Sequence, residues 1–171
     1  QEMKSTHTDI FSMKKILFSI LVMSLSLAVS AQQQSWSNDP AHSRLGFVVQ
    51  HLGISKISGS FTDFSVKVIT TKADYSDMKV TVTAKTASIN TGVEMRDNHL
   101  RSADFFEVEK YPEMTFVSTS TKKVSDTKFT LTGNLTMHGV TKPVTLDVDY
   151  YGSVVNPMNK KETFGFHIAG T

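Results

Sequence analysis

From residue 43 onward, large apolar side chains recur at every second position and almost never at helical spacing. Such a period restricts a chain to amphipathic strands, because successive strand side chains point to opposite faces. Ser43, Leu45, Phe47, Val49 and His51 share one face of a first strand, with Arg44, Gly46, Val48 and Gln50 on the other. A long strand from residue 54 to about 70 follows, with Phe64, Val66 and Val68 on one side. The same alternation returns at Met78, Val80, Val82 and Ala84, at Met114 and Phe116, at Phe129 to Met137, at Val144 to Tyr150, and at Phe164 to Ile168. Phe61 is out of phase with Phe64, which predicts a β-bulge at Thr62 and Asp63.

One segment departs from this rule. In "NTGVEMRDNHLRSADFFEVEKYP", Thr91 followed three residues later by Glu94 reads as a capping box, and Val93 and Leu100 stand at i, i+7. A short helix is expected there, followed by an irregular loop whose Phe105-Phe106 pair would lie as a lid over one mouth of the sheet. Half-polar strands with no further helices to cover them favour an antiparallel sheet that wraps on itself. Seven runs are countable, whereas closed up-and-down barrels normally have an even number. One further strand beyond residue 171 is therefore expected, and the last strand of the barrel is read as missing from this chain.

Residues 32–171 are enough for a single domain with an ordinary core. Ahead of them, Lys14 and Lys15 precede the apolar run "ILFSILVMSLSLAV", and Val29 and Ala31 stand at positions −3 and −1 of a cleavage site. The run is shorter than the roughly 20 residues of a membrane span and carries three serines. Residues 13–31 are thus read as a secretory signal peptide and residues 1–12 as an upstream non-native extension. That reading implies a bacterial protein, periplasmic or secreted, without a stable membrane anchor after signal cleavage. There is no cysteine, so stability must come from packing and ladder hydrogen bonds. The 18 Lys+Arg nearly balance 16 Asp+Glu and form no basic cluster, which argues against nucleic acid as a partner.

Chemistry is sparse. His42 and Ser43 are neighbours, so on a strand they face opposite ways and make a poor base and nucleophile. No G-x-S-x-G elbow accompanies them. No two of His42, His51, His99, His138 and His167 have the spacing that places two imidazoles on one metal. His51 and His99 could still meet at the barrel mouth beside Asp97 or Asp104, so a His-based metal or redox factor remains an alternative. No cofactor motif, catalytic residue or metal site is assigned. The inward stripe of Leu45, Phe47, Val49, Phe64, Val66, Phe129, Leu135, Leu146 and Phe166, with room left at Gly133, would either fill a packed barrel or line a cavity for an apolar ligand. A packed structural stress protein with no ligand is the second alternative.

The blocks "DPAHSRLGFVVQHLGISKISGSFTDF", "MRDNHLRSADFFEVEKYPEMTF" and "LTGNLTMHGVTKPVTLDV" resemble the three signature blocks of the YceI-like family of bacterial exported proteins. The resemblance runs from about Trp36 to Thr171. It implies an all-β fold, a lipocalin-like antiparallel β-barrel of eight strands, holding a polyisoprenoid or fatty-acyl-type lipid in its cavity, with no established catalysis. Under it, Leu45, Phe47, Val49, Leu100, Phe106, Phe116, Leu135 and Leu146 are expected around the lipid. His51 and His99 would be headgroup or gate contacts, with Arg96 and Arg101 as counter-charges for a phosphate. The competing reading of those arginines is that they tie the helix to the barrel rim through ion pairs, for instance Arg101 with Asp97 or Asp104. A homodimer is left open.

Overall fold

In the computed structural model, residues 32–171 are described. The expected extension and signal peptide, residues 1–31, lie outside the described residues. Ten strands form, in chain order β1 (Gln34–Ser37), β2 (Leu45–His51), β3 (Ser55–Phe61), β4 (Phe64–Thr70), β5 (Lys79–Lys85), β6 (Ile89–Asn90), β7 (Glu113–Lys123), β8 (Lys128–Met137), β9 (Val140–Val155) and β10 (Glu162–Ala169). Among the described residues one α-helix, α1 (Glu94–Arg101), lies between β6 and β7. All pairings are antiparallel, in a seven-stranded sheet ordered β1-β4-β5-β7-β8-β9-β10 and a three-stranded sheet ordered β2-β3-β6. The all-β antiparallel architecture with one short helix is therefore the one expected from the alternation, although its strands are divided differently.

The register shows why alternation built it. Val66, Val82 and Phe116 lie side by side across β4, β5 and β7, and Phe116 is opposite Leu135 on β8. Phe129, Val148 and Ile168 make a second row across β8, β9 and β10. These rows put one face of the sheet into an apolar core centred on Met78, Val80, Phe116, Phe129, Leu131 and Val148. The opposite face carries polar pairs, among them Thr136 with Thr141 at 2.8 Å, Lys85 with Glu113 at 2.6 Å and Lys128 with Asp149 at 2.5 Å. β8 and β9 are joined by His138 and Gly139, both at positive φ, the geometry of a two-residue hairpin turn that follows strand twist.

The sheet curls until its two edge strands approach each other. Trp36 on β1 packs on Phe164 of β10 with ring centroids 4.4 Å apart, and Tyr75 meets both rings edge-on. Aromatic contact rather than a hydrogen-bonded ladder joins the ends, giving a half-barrel whose inner side is the apolar face.

Three local expectations are corrected. The run 54–70 is not one bulged strand: the chain breaks at Thr62 and Asp63, so β3 pairs in the small sheet and β4 in the large one. The phase jump between Phe61 and Phe64 marked a change of sheet, which places both rings in the same core cluster. Thr91 does not cap the helix. The N-cap is Val93, with no side-chain cap bond, and Thr91 instead gives its hydroxyl and its amide N–H to Asp97 Oδ1 at 2.5 and 2.9 Å. Gly133 leaves no room, because the ring of Phe116 already fills the space a side chain would take.

Candidate functional site

The inner face carries two adjoining apolar clusters. The first surrounds Phe116, Phe129 and Leu131, with Val66, Val82, Leu135, Val144, Leu146 and Phe166 packed partly buried against it. The second gathers Phe61, Ala84 and Ile89 with Leu45, Phe47, Phe64, Leu100, Phe106 and Met114. They are continuous, since Phe64, Ala84 and Met114 form the row next to Val66, Val82 and Phe116 on the same side of the same strands. Strands β2, β3 and β6, helix α1 and the loop after it complete the second cluster.

Seven expected lining residues thus fall into one continuous face: Leu45, Phe47, Leu100 and Phe106 in the second cluster, Phe116, Leu135 and Leu146 in the first. Their seats are shaped by glycines and rings. The tip of the Phe47 ring sits over Gly59, its partner across the β2–β3 ladder, where any Cβ would collide with it. Phe61 meets Phe106 edge-on at 5.7 Å and Phe47 at a tilt at 5.8 Å. Of the expected lid, only Phe106 turns inward; Phe105 is exposed and packs on His99 at 5.0 Å. Val49 and His51 continue the β2 stripe but leave the cluster: both are exposed. Val93, placed on one helix face with Leu100, is also exposed.

The polar candidates have structural partners. Arg96 donates from Nε to Thr91 Oγ1 at 2.7 Å and from Nη2 to the Thr91 carbonyl at 2.9 Å. Arg101 donates to the carbonyls of Ala87 and Ile89 at 2.9 and 3.0 Å and to Asn98 Oδ1 at 2.8 Å, with Glu94 at 3.5 Å. The guanidinium therefore bolts α1 to the β5–β6 connection mainly through backbone acceptors. Neither Asp97 nor Asp104, the partners expected for it, is the one it uses. Asp97 is buried and held by Thr91, while Asp104 Oδ2 lies 3.0 Å from His99 Nε2. His51 and His99 share no hydrogen bond. His42, exposed, pairs with Asp39 at 2.9 Å, and this contact holds the Asp39 carboxyl below its usual range. Among the described residues no group of three His, Asp or Glu is placed to hold a metal.

Sequence reasoning missed the aromatic seam at the sheet ends, formed by Trp36, Tyr75, Tyr150, Phe164 and Phe166. Tyr75 sits at φ 59°, unusual for a bulky residue, and burial together with the Tyr150 hydroxyl pushes its phenol up to about 12. It stands in a polar loop, so no alternation pointed to it. A separate groove of about 330 Å³ opens where β5 parts from β7, lined by Ser76, Asp77, Lys79 and residues 118–121. Ser118 and Thr121 close that parting by bonding Val80 N–H at 2.8 Å and the Met78 carbonyl at 2.5 Å. Apart from Met78, the residues that line it bear hydroxyls or charge, unlike those of the inner face.

An antiparallel sheet curled around an apolar face, with a hairpin and a short helix at one end, defines a lipocalin-like barrel architecture whose interior is the candidate site. The YceI-like domain matches residues 36–170, and the chain belongs to that family. It is 44% identical over 133 residues to a UPF0312 protein of Staphylococcus aureus strain USA300, covering 78% of this chain and 75% of that one. The crystal structure of the Campylobacter jejuni YCEI protein is similar with TM-score 0.60 and 39% identity, covering 77% of this chain and 76% of that one. Burkholderia cenocepacia BcnA is similar with TM-score 0.63 and 26% identity, over 68% and 73% of the two chains. A polyisoprenoid binding domain from Saccharophagus degradans shares the fold with TM-score 0.50 at 17% identity, over 69% and 68%.

Proposed function

We propose that this protein is a periplasmic binding protein for a polyisoprenoid or another long-chain amphipathic lipid, held along the inner face of the curled sheet, and that residues 13–31 are removed on export. One observation carries this reading: several large inward side chains, Leu45, Phe47, Phe64, Leu135, Leu146 and Phe166, are packed on the buried core yet only partly buried themselves. In a filled interior, residues of this type at this position would be closed off from solvent. An apolar chain laid along them would be stabilised by about 0.8 kcal/mol for each methylene taken from water, so length alone can supply affinity. The polyisoprenoid-binding relative of the same fold agrees in chemical class. Arg96 and Arg101, spent on backbone carbonyls, are poor headgroup ligands under this reading. His99, exposed beside Phe105, is the better one.

Native mass spectrometry with organic extraction of the purified protein tests the reading. The expected result is a co-purifying chain molecule at near-stoichiometric amount, and lower occupancy in Leu146→Trp, whose indole would intrude on the face. A protein that carries no chain and takes up none from a polyprenol-loaded detergent solution would refute it.

A further inference from the structure

The β2–β3 hairpin ends in a tip that is apolar and unburied. Leu52 is 80% exposed and Ile54 89%, with Val49 at 49% just behind them. The tip is nevertheless well ordered by its own bonds: Ile54 N–H to the His51 carbonyl at 3.2 Å, Gln50 Nε2 to the Gly53 carbonyl at 2.8 Å, and Ser55 Oγ to the His51 carbonyl at 3.4 Å. Leu52 holds φ at 52°, a left-handed conformation that costs a leucine energy and suits asparagine or glycine. The turn requires the left-handed φ, but asparagine would supply it at lower cost, so the fold alone does not account for an exposed leucine there.

Two further features specify what the tip meets. From Leu45 to Thr62 the hairpin carries Lys56, two residues from Ile54, and not one Asp or Glu, so the formal charge beside the tip is positive. Along one face, exposure falls steadily from the tip inward, through Val49 and half-buried Ile57 and Phe47 to buried Phe61. An apolar stripe therefore leads from Val49 and Ile57 to the inner cluster, with the His51 and Ser55 pair between it and the tip.

We propose that the β2–β3 hairpin docks the protein on an anionic lipid bilayer, inserting Leu52 and Ile54 among the acyl chains while Lys56 meets the headgroups, and that the stripe beginning at Val49 and Ile57 is the route of a lipid tail into the sheet. The route rests on the lipid-holding function proposed above; the docking does not. Interfacial binding of this kind combines buried apolar area with attraction to anionic lipid, and each ingredient is separately removable.

The test is co-sedimentation of residues 32–171, the chain that the proposed export leaves, with vesicles of phosphatidylcholine alone and of phosphatidylcholine with an equal part of phosphatidylglycerol, at low and high salt. The parent protein should partition onto the anionic vesicles and less so onto neutral ones or at high salt. Leu52→Asn with Ile54→Ser should lower that partitioning by roughly tenfold or more. Asparagine accepts the left-handed turn, so this variant is expected to fold, and a thermal melt checks it. Lys56→Glu should weaken binding to the anionic vesicles alone, by about fivefold or more. A parent protein that sediments with neither vesicle, or a double variant that binds as the parent does, overturns the docking. So does a double variant that changes only self-association in sedimentation velocity. Mass spectrometry of the chain carried by each protein separates the two readings. Loss of docking with the co-purified chain retained supports both, whereas loss of docking in a protein that never holds a chain leaves the tip standing and removes the interior site.

Discussion

Gly133→Ala is the most discriminating single perturbation of the inner face. A Cβ at this position would lie 2.5 Å from Phe116 Cζ, 2.6 Å from its Cε2 and 2.6 Å from the Val117 carbonyl oxygen. Ordinary carbon contacts are about 3.5 Å or more, so ring and carbonyl must each withdraw by nearly an ångström. Phe116 is buried against the first cluster, and the carbonyl belongs to the β7–β8 ladder, beside the register shift between Ser118 and Ser120. Overpacking of this kind costs about 1–3 kcal/mol, and weakening a ladder bond about 1 kcal/mol more, so the expected loss is about 3 kcal/mol. For a domain of this size that lowers Tm by about 10 °C, readable by calorimetry and by urea unfolding. Gly59→Ala is the comparison: all three of its nearest atoms belong to the Phe47 ring, which is half-exposed and free to swing away, so about 1 kcal/mol is expected. Adding Phe47→Ala to Gly59→Ala should leave stability no lower than Phe47→Ala alone. Adding Phe116→Ala to Gly133→Ala should not relieve the clash, because the Val117 carbonyl remains. A Gly133→Ala protein within about 0.5 kcal/mol of the parent, or one fully relieved by Phe116→Ala, would refute this account.

Three other outcomes follow from the same contacts. Arg101→Lys should destabilise by about 2 kcal/mol, since an ammonium cannot span the Ala87 and Ile89 carbonyls as the guanidinium fork does, and hydrogen exchange should rise first over residues 94–101. Trp36 is the single tryptophan, so Phe164→Ala, by opening the seam between the two sheet edges, should shift its fluorescence to the red while leaving far-ultraviolet dichroism nearly unchanged. Asp77 accepts from the hydroxyls of Thr70 and Thr71 and from the N–H groups of Thr71 and Lys72, which holds its carboxyl far below the usual range. Its stabilising effect is complete above the unfolded value near about 4 and is lost as pH falls further; Tm should drop below about pH 4, and Asp77→Asn should flatten that acid limb.

Strand faces were legible because a two-residue period is a property of the chain itself: Leu45 with Phe47, Val82 with Ala84, and Phe129 with Leu131 were sorted to the inside before any neighbour was known. The family, too, was readable from three blocks of residues. What alternation could not tell is how far along a strand the core extends. Val49 and His51 share the face of Phe47 and pair with β3 as it does, yet only Leu45 and Phe47 reach the cluster of Phe61, Leu100 and Phe106. Long-range pairing also decided that Thr62 and Asp63 are a change of sheet, that Phe116 occupies the space above Gly133, and that Trp36 meets Phe164. The arginines show the same division. Sequence identified Arg96 and Arg101 as charges near a candidate site, but their acceptors are backbone carbonyls of Thr91, Ala87 and Ile89. Every residue has such a carbonyl, and only the folded chain determines which of them lie within reach of a given guanidinium.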